Sequence, residues 1–193
     1  MANHVFSRAN ITHDNPDEMK ILAGLLERPI HELASYMLGR EITDDELDRN
    51  IMCDTFGAKW IDFEDVHVDD EEIIVMSTSA WSQPYEMWEI LETKGFTIDA
   101  DYEDEMPNFI GSYSTDEGDN YVDMGAVTEA VEETIEGFEC DSKESSDYNN
   151  KLYEECIASA YEAMDETPTE GIKAMTEGWV ERYLEFQEHY VGE

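Results

Sequence analysis

Acidic side chains recur at every second position in two short segments of this sequence. Asp99, Asp101 and Glu103 alternate with apolar residues, and Asp62 and Glu64 follow the same pattern earlier in the chain. Because alternate side chains of a β-strand point to one face, each segment predicts a row of carboxylates about 6.8 Å apart. Neighbouring phosphates along one DNA strand are separated by on the order of 7 Å along their helical path. Each row therefore approximates the charge spacing of a nucleic-acid backbone.

Four glutamates later in the chain repeat at positions i, i+3, i+4 and i+7, and no Lys or Arg stands among them. This spacing predicts one continuous face of a helix, opposite an apolar stripe that contains Val127, Val131 and Ile135. Like charges at this spacing destabilise a helix, so we infer that the face serves a binding partner. The four residues are Glu129, Glu132, Glu133 and Glu136.

The overall charge is strongly negative. The 193 residues include 49 Asp and Glu but only 11 Lys and Arg, which gives a formal net charge of −38. Residues 1–60 carry 11 acidic and six basic residues, whereas residues 61–193 carry 38 acidic and five basic ones. This balance excludes nucleic-acid binding through a basic surface and argues against docking on an anionic membrane. With 41% hydrophobic residues, the chain still has enough apolar surface to fold around a core.

Motifs for catalysis, metal binding or a cofactor are missing from the sequence. The three cysteines are widely spaced and the histidines are dispersed, so we expect neither a disulfide framework nor a zinc site. The acidic group at Asp116, Asp119 and Asp123 lacks the spacing of an EF-hand. We therefore predict a protein that is not an enzyme and has no catalytic residue, metal site or cofactor. The lack of a signal peptide or a long apolar segment predicts a cytoplasmic protein with no membrane attachment.

Hydrophobic periodicity predicts an α+β protein in two parts. Residues 1–115 follow the order strand, helices, strand, strand, helix, strand, which is typical of a ferredoxin-like split βαβ antiparallel sheet with helices on one face. The segment from Phe109 to Tyr113 is a candidate for one further strand of the sheet. Residues 116–193 predict an acidic extension of about three helices packed on the first domain. In this order the two strands with acidic rows lie at opposite edges, about 14 Å apart across three strand gaps. That distance approaches the width of a DNA major groove, about 12 Å.

Local signals predict several boundaries. Asn15-Pro16 is expected to start a helix, Gly39 to end one and Pro84 to open another. The continuous β-prone run from Ile73 to Thr78 predicts a central strand that is buried on both faces. Turn-forming residues such as Asp, Asn, Ser and Gly predict a turn over residues 116–120 and a loop over residues 141–150.

Three segments of the first part resemble motifs of a known family. Gly57-Ala58-Lys59-Trp60-Ile61-Asp62 resembles a GTKWD-like element, and Thr78-Ser79-Ala80-Trp81-Ser82-Gln83-Pro84 resembles a TAWSPP-like element. Tyr102-Glu103-Asp104-Glu105-Met106, followed by Phe109 and Gly111, is similar to a YEPGMxFxG-like element, with Asp104 and Glu105 in place of Pro and Gly. Together they resemble the YubB-type ferredoxin-like domain of phage and plasmid proteins. The resemblance implies a fold and a mobile-element context, and it implies no catalytic residue.

These observations predict a DNA-mimic protein made by a phage or another mobile element. We expect it to inhibit a host defence or regulatory protein, in the manner of an anti-restriction protein, by occupying its basic DNA-binding channel in the host cytoplasm. The expected partner has a basic DNA-binding surface, and we expect no direct contact with nucleic acid. The predicted partner-binding residues are Asp62, Glu64, Asp99, Asp101, Glu103, Glu129, Glu132, Glu133 and Glu136.

Other interpretations of the sequence stay open. A metal-dependent or small-ligand enzyme on the same scaffold would use the loop from Tyr102 to Gly111. An acidic adaptor would form a homodimer through a C-terminal aromatic stripe, which consists of Trp179, Tyr183, Phe186 and Tyr190. An acidic surface that serves only solubility, or a halophilic origin, would also give an excess of acids.

Overall fold

The protein is described by a computed structural model, which covers residues 3–69, 72–105, 108–138, 146–164 and 167–190. Within these ranges the chain forms an α+β structure. The strands are β1 His4–Thr12, β2 Ile61–Val68, β3 Ile73–Ala80, β4 Thr97–Asp104, β5 Phe109–Ser114 and β6 Gly118–Asp123. The α-helices are α1 Pro16–Leu26, α2 Ile30–Leu38, α3 Arg49–Phe56, α4 Tyr85–Thr93, α5 Met124–Gly137, α6 Ser146–Glu162 and α7 Glu170–Tyr190, and a short 3-10 helix spans Asp44–Glu46.

The strands form one antiparallel sheet in the order β2-β3-β1-β4-β5-β6. β1 pairs antiparallel with both β3 and β4, and β2 pairs antiparallel with β3. The predicted α+β class with an antiparallel sheet is therefore confirmed. The prediction that the acidic strand β4 forms a sheet edge is wrong, because the chain continues into β5 and β6 beyond it. The sequence interpretation missed β6 because Gly118, where this strand begins, was assigned to a turn.

Burial alternates along the inner strands, which defines a buried face and an open face of the sheet. On β1, Val5, Ala9 and Ile11 are buried, whereas Phe6 and Arg8 between them are exposed. Helices α1 to α4 contribute further buried side chains to this core, among them Leu22, Leu33, Phe56 and Trp88. The predicted burial of β3 on both faces is wrong, because Met76 on the open face is 47% exposed. The run of β-prone residues reflects strand propensity rather than a second covering layer.

Several predicted helix boundaries are confirmed, and each has a local cause. The side chain of Asn15 accepts a hydrogen bond from the backbone N–H of Asp17 at 3.0 Å, so it caps the start of α1. α2 ends at Gly39, which has a φ of +65°, a conformation that favours glycine. Pro84 immediately precedes α4, as expected. Helix α3 was not predicted, and the Asp48 side chain caps its first turn.

Contacts divide the chain into two compact units. The first unit consists of residues 1–106 and 112–120, and the second consists of residues 107–111 and 121–193. In the second unit α6 packs against both α5 and α7, and members of the predicted stripes, among them Val131, Cys156 and Ile172, are buried in its core. The predicted loop over 141–150 is wrong for its last five residues because α6 begins at Ser146, and residues 141–145 lie outside the described residues. The core of this unit contains Ile110, Met124, Val127, Val131, Cys156, Ala160, Ile172, Trp179 and Val180.

Candidate functional site

The predicted acidic row on β4 lies on the open face of the sheet. Asp99 is exposed, and Asp101 and Glu103 are partly exposed. They alternate with buried residues of the same strand, including Ile98 and Ala100, because successive side chains of a strand point to opposite faces. In the register with β1, Asp99 is opposite Asn10, Asp101 is opposite Arg8 and Glu103 is opposite Phe6. The alternation of β4 therefore places the three acids on one face, and the register with β1 determines which β1 residues lie beside them.

A second acidic row follows β2 on the same open face. Asp62 is exposed and lies opposite Thr78 of β3. A bulge between Phe63 and Asp65 shifts the register by one residue, and Asp65 then lies opposite Met76. Glu64, in the bulge, accepts a hydrogen bond from the Thr78 hydroxyl. Asp65 was missed because simple alternation places it on the other face, and a bulge leaves no reliable signal in a single sequence.

Between the two acidic rows runs a strip in which apolar side chains of β1 and β3 lie beside polar ones, among them the exposed Arg8. Phe6 of β1 is 42% exposed and Met76 of β3 is 47% exposed, and both lie on the open face. Phe6 pairs with Thr78 and Met76 pairs with Arg8, so the two apolar side chains are diagonal neighbours, about 7 Å apart. β2 and β4 are separated by β3 and β1, which places the two rows about 14 Å apart across three strand gaps. Sequence reasoning did not select Phe6 or Met76, because it searched only for charged patterns.

The environment on the open face disfavours the ionised form of Asp101. Partial burial, followed by repulsion from the Asp99 carboxylate, raises the pKa of Asp101 above its ordinary value, while the Arg8 guanidinium acts in the opposite direction. A raised pKa means that the protein environment disfavours the ionised carboxylate. Asp101 is thus harder to ionise than an isolated carboxyl group. A cationic partner would relieve this repulsion.

The predicted helical row lies in the second unit, on α5. Glu129, Glu132, Glu133 and Glu136 are all exposed. They lie opposite the side of α5 that enters the core, where Val127 and Val131 are fully buried. Glu132 also accepts a hydrogen bond from the Tyr183 hydroxyl of α7, so this one member of the row has a structural contact. The sheet rows and the helical row belong to different units and are considered separately.

The three segments that resemble family motifs meet at one end of the sheet. The backbone N–H of Ala80 donates to the carbonyl of Trp60 at 3.1 Å, and the Ser82 hydroxyl donates to the carbonyl of Gly57 at 2.5 Å. The third segment joins them through β1, since the N–H of Glu105 donates to the carbonyl of His4 at 2.8 Å. Residues 106 and 107 of this segment lie outside the described residues.

Trp81 is the unusual residue at this end of the sheet. Its φ is +77°, a conformation that bulky residues rarely adopt, and its side chain is 58% exposed. Its N–H donates to the carbonyl of Asn3 at 3.0 Å, which ties the strained position to the chain before β1. Strain of this kind is often found at functional positions.

A cleft of about 530 Å³ lies beside the edge strand β2. Its lining includes Asp62, Glu64 and Asp65 together with Arg28, which forms an ion pair with Glu32 at 3.2 Å. Among the residues that the structure describes, no group of three or more His, Cys, Asp or Glu is placed to hold a metal ion. None of the described helices is long and apolar enough to cross a membrane.

Comparison with known proteins gave no matching family model, no matching curated protein and no matching solved structure. The family resemblance of the three segments therefore stays a prediction. The assignment of a function depends on the geometry and charge described above.

Proposed function

We propose that this chain is a DNA mimic of a phage or another mobile element, which binds the basic DNA-binding surface of a host defence or regulatory protein. The observation that carries the proposal is the pair of carboxylate rows on β2 and β4, which share one open sheet face about 14 Å apart. A major groove is about 12 Å wide and is bordered by phosphates on both sides. The spacing of the two rows, which is close to this width, supports the proposal.

The proposed mechanism is electrostatic competition. Lys and Arg side chains that normally contact phosphates would pair with the carboxylates instead, which blocks the entry of duplex DNA. With 49 acidic against 11 basic residues, the chain has few cations of its own to neutralise these rows. The exposed glutamates of α5 would add a second anionic contact. We place this interaction in the host cytoplasm.

The fold supports a related proposal about origin. The order β2-β3-β1-β4 and its antiparallel pairings support our proposal that this part of the sheet is a ferredoxin-like split βαβ unit. The three segments that resemble the YubB-type domain also meet at one end of this sheet. We therefore propose that the chain is a YubB-type domain extended by β5, β6 and three helices.

The proposal is tested with two variants of equal net charge. In the first, all nine predicted partner-binding acids become Asn or Gln. In the matched control, nine exposed acids from elsewhere are changed in the same way: Asp14, Asp17, Glu41, Asp44, Asp45, Asp54, Asp116, Glu117 and Glu154. Both variants lose nine negative charges, so any difference between them reports on position rather than on total charge.

The assay measures displacement of a fluorescein-labelled 30-base-pair duplex from a panel of purified DNA-binding proteins. The panel contains a restriction endonuclease, a CRISPR effector, a nucleoid protein and a repair nuclease. We expect the unmodified chain and the control variant to displace the duplex from at least one member of the panel. The variant that lacks the nine predicted partner-binding acids should be at least tenfold weaker. Equal potency of the two variants, or no displacement from any member, would contradict the proposal.

A further inference from the structure

The open sheet face contains a feature that pure charge mimicry does not require. Phe6 and Met76 are 42% and 47% exposed between the two acidic rows, and Ile74 beside Met76 is partly exposed. The exposed Arg8 of β1 lies opposite Met76 on the same face. An exposed apolar strip on a sheet is unfavourable in water, and it commonly marks a surface that another molecule covers. If the face bound only basic side chains, polar residues would be sufficient at these positions.

The dimensions of the strip match an α-helix. A helix with its side chains is about 10–12 Å across, and the acidic rows that border the strip are about 14 Å apart. A helix seated on Phe6 and Met76 would thus have carboxylates along both of its sides. The long aliphatic stems of Lys and Arg would let these residues reach sideways to the carboxylates while the apolar side of the helix stays on the strip.

The buried face of the same sheet shows that its strands can support helices. Trp88 of α4 packs against Tyr102 of β4, with ring centroids 6.2 Å apart. A helix supplied by a partner would cover the other face and complete a three-layer arrangement. A second copy of this chain is a poor occupant, because both surfaces would belong to molecules with a net charge of −38.

We propose that the strip formed by Phe6, Ile74 and Met76 seats a basic amphipathic helix of the partner, the helix that the partner otherwise inserts into the DNA major groove. This inference rests on the proposed function and narrows the partner to proteins that read DNA with a helix. The strip takes the place of the groove floor, where bases present apolar groups such as the thymine methyl, and the acidic rows take the place of the phosphates.

The probe is a pair of stapled 20-residue helical peptides, with the staple on the outward side. Both carry Lys along two margins, and they differ on the intervening face, which has Leu at i, i+3, i+4 and i+7 in one peptide and Gln in the other. Binding to the full chain is measured by fluorescence anisotropy at several salt concentrations. Because each apolar side chain has about half of its surface left to bury, we expect the Leu peptide to bind about tenfold more tightly.

Three variants separate the contribution of the apolar side chains to peptide binding from that of the carboxylates. Phe6→Thr with Met76→Thr should reduce the preference for Leu to about twofold without changing the salt dependence. Ile21→Gln with Leu38→Gln removes two comparably exposed apolar residues of α1 and α2, and this control should leave the preference unchanged. Neutralising Asp62, Asp65, Asp99 and Asp101 should weaken both peptides and flatten the salt dependence, while the preference for Leu persists.

Equal affinity for the two peptides, or a preference that survives the change of Phe6 and Met76, would overturn the inference. Light scattering that shows a dimer of the unmodified chain, and a monomer after Phe6→Thr with Met76→Thr, would also overturn the inference, since a second copy would then cover the strip. If these results occur while the chain still displaces duplex DNA from a partner, the inference fails and the proposed function stands. Circular dichroism of each variant checks that the fold is retained.

Discussion

The acidic row of α5 should lower the stability of the protein, and this can be measured without knowledge of a partner. The row contains four like-charged pairs at i,i+3 or i,i+4 spacing, and each such pair costs about 0.2–0.5 kcal/mol. Replacing Glu129, Glu133 and Glu136 by Gln removes all four pairs and leaves Glu132 to accept its hydrogen bond from Tyr183. Gln and Glu have similar helix propensities, so the charge is the main quantity that changes.

We expect this triple variant to be more stable by about 1 kcal/mol at low salt. For a chain of this length, that corresponds to a rise of about 2–4 °C in the unfolding temperature. The gain should become small in 1 M NaCl, where the Debye length is about 3 Å. Urea denaturation followed by circular dichroism, at 20 mM and at 1 M NaCl, provides the measurement.

A control of opposite sign is available in the same protein. Glu32 of α2 forms an ion pair with Arg28 at 3.2 Å, so Glu32→Gln should lower the stability by up to about 0.5 kcal/mol. If the triple variant of α5 is instead less stable than the unmodified chain, the row supports the fold. The inference that the row is retained for a partner would then be refuted.

Four further predictions concern single residues. Gly57→Ala should lower the stability by about 1–2 kcal/mol, because the position has a φ of +73°, which a residue with a β-carbon adopts only with strain. Gly24 lies in the interior of α1 with open space around it, so Gly24→Ala should raise the stability by about 0.5–1 kcal/mol. Urea denaturation measures both variants, and equal changes in stability for Gly57→Ala and Gly24→Ala would contradict both predictions. Hydrogen bonds from the backbone and hydroxyl of Thr43 lower the pKa of Glu46. The stability that the Glu46 carboxylate contributes is therefore present above its ordinary pKa of 4.5 and is lost as the pH falls through the lowered value. Unfolding curves of Glu46→Gln should approach those of the unmodified chain below that pH, and a difference that stays constant with pH would argue against this role. Burial raises the pKa of the Cys156 thiol to about 11, so iodoacetamide at pH 8 should modify this residue only after urea unfolds the chain, as peptide mass spectrometry will show.

Much of the local structure was predictable from the sequence because its signals are local. The pairing of Asn15 with Pro16 starts a helix wherever it stands, and the alternation of Asp99 to Glu103 places acids on one face of a strand in any sheet. The apolar stripes of α5, α6 and α7 repeat with helical period over three or four turns. In each of these cases the determining residues lie within a few positions of one another.

The errors at the candidate site involve long-range pairing. Whether β4 forms an edge depends on the pairing of β5 and β6, which the composition of β4 does not determine. The bulge at Glu64 moves Asp65 to the open face, and a single residue of register shift leaves no compositional trace. The apolar strip was missed for a similar reason, because Phe6 and Met76 are 70 residues apart and become neighbours only through the pairing of β1 with β3.

The central claim is that the carboxylate rows and duplex DNA compete for one surface of a partner. The most direct measurement is the apparent dissociation constant between this chain and a DNA-binding protein that it inhibits, determined at increasing concentrations of unlabelled duplex. Competition for a single surface predicts that the apparent constant rises linearly with the duplex concentration and without a limit. A constant that reaches a plateau, or a ternary complex of chain, partner and duplex in light scattering, would contradict the account.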